Sequence, residues 1–164
     1  MPRIGNTLII AQALLLILVV SPAHADTASQ KALTAQSLQM WSTGDLSNTD
    51  KVFRDTYQNH QEPDVAGGPK TVDLADWSAL VKGFHTAFPQ NKVEILLQVG
   101  EGQFVTTRWR FNAVQKGDYL GLAPTGKTIR WTGIQIDRFE EGKIAESWVN
   151  WDMYSMFKQL GIIK

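Results

Sequence analysis

Five residues in the C-terminal third of the chain have the types that acid–base work on a small molecule needs: Trp131, Gln135, Trp148, Asn150 and Asp152. Glu141-Gly142 reads as a two-residue hairpin turn. Such a turn opposes Gln135 to Trp148, Gly133 to Asn150 and Trp131 to Asp152. Directly opposed residues share a face, so the five would line one side of the hairpin. Ile134, Ile136, Val149 and Trp151 would line the other. A carboxylate among indole rings is poorly solvated, which raises its pKa toward that of a useful acid or base. Gly133 would leave room for a ligand. Asp152 equally suits the N-cap of a helix opening at Met153, and the two roles are compatible. The same register sets Asp137 against Glu146, two like charges, so a bulge would shift these pairings.

Two more candidates lie upstream. His60 sits in the polar run Asn59-His60-Gln61-Glu62, where it is a pocket or a surface residue. His85 falls between Phe84 and Phe88 on an apolar helix, a boundary position. The histidines have no short metal-ligand spacing, which argues against a metal site. There is no Cys, so disulfides and thiol nucleophiles are excluded. No Ser stands in a G-x-S-x-G elbow. Residues 121–128 match the phosphate-loop pattern G-x-x-x-x-G-K-[ST]. That motif needs a helix to follow it. Here Thr128-Ile129-Arg130-Trp131 follows, a β-strand pattern, and Pro124 lacks one N–H donor. The segment reads as a turn.

The elements that position these residues are legible from periodicity. Residues 27–43 read as a helix, with Leu33, Ser37, Met40 and Trp41 on one face. A short helix is expected at 45–53, an extended segment at 57–60 and a loop at 61–72, which holds two Pro and two Gly. Residues 73–88 carry the apolar stripe Leu74, Trp77, Leu80, Val81, Phe84, Phe88, with Asp73 as N-cap and Pro89 as stop. Alternation then marks strands at 93–99, 104–115, 128–139 and 144–151, and a closing helix at 153–160. Helices followed by long antiparallel strands read as α+β. The N-terminal helices would cover a strongly curved sheet, making a cone with an internal pocket.

Residues 1–25 read as a secretory leader: Arg3, an apolar run from Leu8 to Val20, then Ala23-His24-Ala25 as cleavage site. The expected organisation is a leader at 1–25 and one domain at 26–164, periplasmic or secreted. With 16 basic and 16 acidic residues among 164, no excess charge favours nucleic acid. No membrane contact is expected once the leader is removed.

The segments Tyr57-x-Asn59-His60, His85-Thr-Ala-Phe-Pro89, Gly121-x-x-Pro124-Thr-Gly126-Lys127, Gly133-Ile-Gln-Ile, Gly142-Lys-Ile, Glu146-x-Trp148 with Asp152, and Gln159-Leu-Gly161 occur in that order. The set resembles the SnoaL-like polyketide cyclases (ester cyclases) of the nuclear-transport-factor-2-like fold, over roughly residues 30–161. The resemblance implies an α+β cone with a deep apolar pocket. It implies an acidic residue doing acid–base work in an intramolecular aldol closure, without metal or cofactor. Asp152 matches that acidic position, and His60 and Gln135 match polar pocket positions. Many members carry His where this chain has Gln115.

The expectation is therefore a cofactor-free enzyme working next to a carbonyl of an apolar small molecule. Asp152 and His60 are its candidate catalytic residues. Asn59, Gln135, Trp131, Trp148, Asn150 and His85 are its candidate substrate-binding residues. A non-catalytic small-molecule binder is the alternative. A homodimer through the Ile134/Ile136/Val149/Trp151 face is also expected.

Overall fold

The computed structural model describes residues 27–62 and 70–164. The expected leader at 1–25 lies outside the described residues. The elements run α1 (Thr27–Thr43), α2 (Thr49–Val52), β1 (Phe53–Glu62), β2 (Lys70–Asp73), α3 (Leu74–Ala87), β3 (Lys92–Glu101), β4 (Phe104–Val114), β5 (Thr128–Glu140), β6 (Lys143–Trp151) and α4 (Met153–Leu160). The strands form one curved, unclosed sheet in the order β2-β1-β6-β5-β4-β3. All neighbours are antiparallel except β1 and β6, which are parallel. The helices lie against the inner face, as the α+β reading requires. None of the described helices is long and apolar enough to cross a membrane.

Period-2 alternation builds the inner face. On β4, Val105, Thr107, Trp109, Phe111 and Ala113 are buried, and on β5 Ile129, Trp131, Gly133, Gln135, Asp137 and Phe139 are. Two apolar clusters result. One joins Leu38, Phe88, Phe111, Ile129, Met156 and Leu160. The other joins Val52, Phe53, Tyr57, Trp77, Val105 and Ile144.

Three local readings change. The expected helix at 45–53 shrinks to Thr49–Val52, because Asp45 is spent on a turn, accepting from the Ser47 N–H at 2.9 Å. Phe53 instead opens β1 and buries its ring against Tyr57 and Trp77. Within the expected loop at 61–72, the last residues form edge strand β2, which pairs Thr71 with His60.

The third change matters most. The turn at Glu141-Gly142 forms as expected, with φ of 50° and 76°, the left-handed pair a two-residue hairpin favours. Three residues from it the register slips. Phe139 pairs with Ile144, but Arg138 pairs with Glu146, leaving Ala145 as a bulge. Gln135 therefore opposes Val149 rather than Trp148, and Gly133 opposes Trp151 rather than Asn150. A one-residue slip moves every later side chain to the other face. The physical reason is the charge conflict of the unbulged register. With the bulge, Asp137 faces Ser147, which donates to it at 2.5 Å. Glu146 turns outward to Arg138, whose Nε donates to it at 3.0 Å.

Gly133 serves packing, not a ligand. A Cβ there would stand 2.2 Å from the Trp109 ring, which crosses it. Gly133→Ala should destabilise the fold by about 1–3 kcal/mol, the usual cost of overpacking a core. A urea titration of the two proteins measures this, and equal midpoints would contradict the packing role.

Candidate functional site

The helices and the inner sheet face enclose a cavity of about 700 Å³. Aromatic rings supply much of its wall, Trp41, Trp77, Phe84, Trp109, Phe111 and Trp131 among them. Phe111 and Trp131 stack at 5.3 Å and 13°, and Phe84 meets both edge-on. These flat, rigid rings are what the alternation of β4 and β5 and the stripe of α3 project inward. Trp109 keeps its indole N–H without a partner, a buried donor on the wall.

Polar groups gather on β1, β5 and β6. Tyr57, Asn59, Gln61, Gln135 and Ser147 line the cavity. The Gln61 amide donates to Asn59 Oδ1. Asn59 Nδ2 donates to the Tyr57 hydroxyl at 2.6 Å. Behind them lies Asp137, with no exposed surface. It accepts from Thr34 Oγ1 at 2.7 Å, Gln135 Nε2 at 2.9 Å and Ser147 Oγ at 2.5 Å. Burial pushes the Asp137 carboxyl above its ordinary range, and the three hydrogen bonds oppose that rise. Burial first, and the Asp137 charge second, raise the Tyr57 phenol, so it stays protonated at neutral pH.

The sequence-predicted residues divide. Trp131, Gln135 and Asn59 line the cavity. Trp148 and Asn150 are exposed on the outer face, carried there by the bulge. His60 is on that outer face too. Its ring stacks on Trp148 at 5.5 Å, its Nε2 lies 2.8 Å from Glu146 Oε1 and its Nδ1 lies 2.9 Å from Thr71 Oγ1. Burial raises Glu146, but the hydrogen bonds from His60 and Arg138 outweigh it and hold the carboxyl below its ordinary range. His85 packs its ring against Gly44, where an added Cβ would meet it at 2.7 Å, and leaves its buried Nδ1 without a partner. It is not a cavity residue.

Asp152 is exposed and caps α4, its carboxylate accepting from the Ser155 N–H at 2.9 Å. Hydrogen bonds from Ser155 hold it below the ordinary carboxyl range, the opposite of desolvation. The structure thus does not bring Asp152 together with Trp131 and Gln135.

Sequence reasoning missed Asp137, Tyr57, Gln61 and Ser147 as a group. The signal was available for one of them: Asp137 shares its parity with Trp131 and Gln135 on β5. Gln115 was noticed without a role. It is fully buried, and its amide donates to the carbonyls of Gly117, Leu122 and Ala123 while accepting from Thr125 Oγ1 at 2.6 Å. It thereby shapes the loop whose Asp118, Tyr119 and Leu120 close one side of the cavity. In the phosphate-like segment no helix follows. Thr128 opens β5, and Lys127 Nζ donates to the Leu160 carbonyl at 3.0 Å.

A family model described as SnoaL-like polyketide cyclase matches residues 31–160. Among solved structures, AclR from Streptomyces galilaeus is similar at 28% identity, over 84% of each chain, with a TM-score of 0.74. TsrD from Streptomyces laurentii is similar at 23% identity, over 85% of this chain and 99% of that one, with a TM-score of 0.73. IdmH from Streptomyces antibioticus is similar at 23% identity, over 80% and 98%, with a TM-score of 0.70. A search of curated proteins finds no match.

The cap geometry makes a direct prediction for Asp152. Asp152→Ala should lose about 1 kcal/mol of stability, whereas Asp152→Asn should stay within a few tenths of wild type. Thermal unfolding of the two variants checks it. Equal losses in both would mean that the charge, not the cap, is what matters.

Proposed function

Because the chain belongs to the SnoaL-like polyketide cyclase family, we propose that it is an exported, cofactor-free enzyme of cyclase type. Its substrate is an apolar carbonyl compound, and its reaction is proton abstraction beside the carbonyl followed by ring closure or isomerisation. One observation carries the reading: an aromatic-rich cavity of about 700 Å³ with a cluster of neutral polar groups, Tyr57, Asn59, Gln61, Gln135 and Ser147, on its wall. Flat rings bind a flat apolar body. The amides of Gln61 and Gln135 each spend one N–H on a neighbour and keep a second. Those spare donors suit a carbonyl oxygen, and they strengthen as it becomes an enolate.

A second reading, a binding protein without catalysis, is favoured by where the titratable side chains stand. Asp152 and His60 lie outside the cavity, and the carboxylates among its described lining residues, Asp76 and Asp118, are solvent-exposed. The two readings separate on β-tetralone, a small apolar ketone that enolises readily. In heavy water the wild-type protein should speed exchange of its α-protons for deuterium, followed by NMR. Quenching of the cavity tryptophans by β-tetralone with no acceleration over a buffer blank would leave the binding protein.

Export and self-association belong to the same proposal. The leader-like segment at 1–25 supports the first. The outer sheet face supports the second, with a corrected composition: Leu97, Val99, Phe104, Ile134, Ile136 and Trp148 are exposed, while Val149 and Trp151 line the cavity. An apolar face of this kind marks an interface. It also carries the ion pairs Arg110–Glu94 and Arg138–Glu146, with Arg108 set between Leu97 and Ile134. Secreted protein should begin at Asp26 on N-terminal sequencing and sediment as a dimer, and Ile136→Asp should shift it to monomer. A wild-type monomer at high concentration would remove the interface.

A further inference from the structure

A cavity selects its ligand by the polar atoms that its wall leaves without partners. Gln135 is nine-tenths buried, at 7% exposure, and lines the cavity. Its Nε2 donates to Asp137 Oδ2 at 2.9 Å, and among the described residues nothing donates to its Oε1. Gln30 Oε1 and Asn91 Oδ1 also lack donors, but neither residue lines the cavity. We infer that Gln135, held one way round by Asp137, determines the specificity of the cavity, and that it selects a flat ligand with a hydrogen-bond donor beside its carbonyl. The inference rests on the enolisation reading above and deepens it to a class of substrate.

The carboxylate settles which way the amide points. The two ends of a glutamine amide have nearly the same shape, but one donates and the other accepts. An ionised carboxylate only accepts, so it holds the nitrogen of the amide and repels the oxygen. Asp137 is itself pinned from two sides. Thr34 on α1 donates to Oδ2 at 2.7 Å, and Ser147 on β6 donates to Oδ1 at 2.5 Å. Gln135 therefore cannot turn end for end to suit a ligand, and the ligand must match it. Asp137 is the positioning residue, and Gln135 is the residue that touches the ligand.

Held in this way, the amide keeps two groups for a ligand: Oε1 and the second N–H on Nε2. The N–H suits the carbonyl oxygen of the substrate, and Oε1 requires a donor. A buried acceptor left unpaired is costly, so a ligand that brings no donor is penalised rather than tolerated. Oxygen and nitrogen of the amide share one carbon, so the complementary ligand carries its donor and its carbonyl side by side. The body of the ligand follows from the same face of β5. Trp131 precedes Gln135 with the same inward parity and stacks on Phe111 at 5.3 Å. A flat ring laid along these indole and phenyl faces presents its edge, where donor and carbonyl stand, to Gln135.

The test is calorimetric titration of the full chain with two flat bicyclic probes of one shape. 2-Quinolinone has an N–H beside its carbonyl, and coumarin has a ring oxygen in the same place. The wild type should bind 2-quinolinone about 10- to 100-fold more tightly, the span of one hydrogen bond to an otherwise unpaired buried acceptor. Gln135→Met keeps the length of the side chain and removes both polar ends, so it should abolish the preference by weakening 2-quinolinone. Asp137→Asn offers either a donor or an acceptor and frees the amide to turn. It should lower the preference without loss of coumarin affinity, whereas a purely structural role for Asp137 would weaken both probes alike. If Asp137→Asn does not fold, Gln135→Met decides the matter. Equal wild-type affinity for the two probes, or a preference that survives Gln135→Met, would overturn the inference and leave the enolisation reading to the exchange of β-tetralone. Binding of neither probe would overturn the inference too, and the enolisation reading falls with it only if β-tetralone exchange is also absent.

Discussion

A carboxylate without solvent must be surrounded by donors, and Asp137 imposes that constraint on this fold. An unpaired buried charge costs several kcal/mol, so each donor around it is fixed in place. Thr34 ties it to the first helix, Ser147 to the neighbouring strand and Gln135 to its own strand. The first helix thereby meets the β5–β6 hairpin, about a hundred residues later in the chain, on one side chain. The hairpin register answers to the same demand. A regular ladder would set Glu146 against Asp137, and the bulge at Ala145 replaces that repulsion with the Ser147 hydroxyl.

The bulge also sorts the later side chains of β6 between the two faces of the sheet. Outside, Glu146 joins Arg138 and His60, with Trp148 stacked on the imidazole. Inside, Val149 and Trp151 complete the aromatic wall. Gly133 belongs to the same arrangement, because the Trp109 ring can cross the sheet only over a residue without a side chain. One inserted residue thus decides that Trp151 lines the cavity and Trp148 faces outward.

The sequence made the elements legible and left the site half read, for one reason. Element type depends on period, and period survives a local slip. The stripe of residues 74–88 and the alternation of 104–114 and 128–140 are strong enough that tertiary packing does not override them. Face assignment depends on register, and register fails at a single bulge. So Trp131 and Gln135, read before the bulge, line the cavity, whereas Trp148 and Asn150, read beyond it, face outward. The like-charge clash of Asp137 and Glu146 was the visible warning. Edge strand β2 was hidden because its pairing comes from β1 rather than from any pattern of its own. Gln115 could be placed but not explained, since its four partners come from a loop whose shape the sequence does not declare.

The parallel pairing of β1 with β6 bears on the order in which the chain can fold. Phe53 meets Ile144 and His60 meets Trp148 across that ladder. Contacts of such long sequence separation form late, because the loop they close must first lose its freedom. During synthesis the N-terminal strand finds no partner for its inner edge until residues 143–151 have left the ribosome. Thr34 waits likewise for Asp137. Nearly the whole chain must therefore be present before the six strands can join into one sheet.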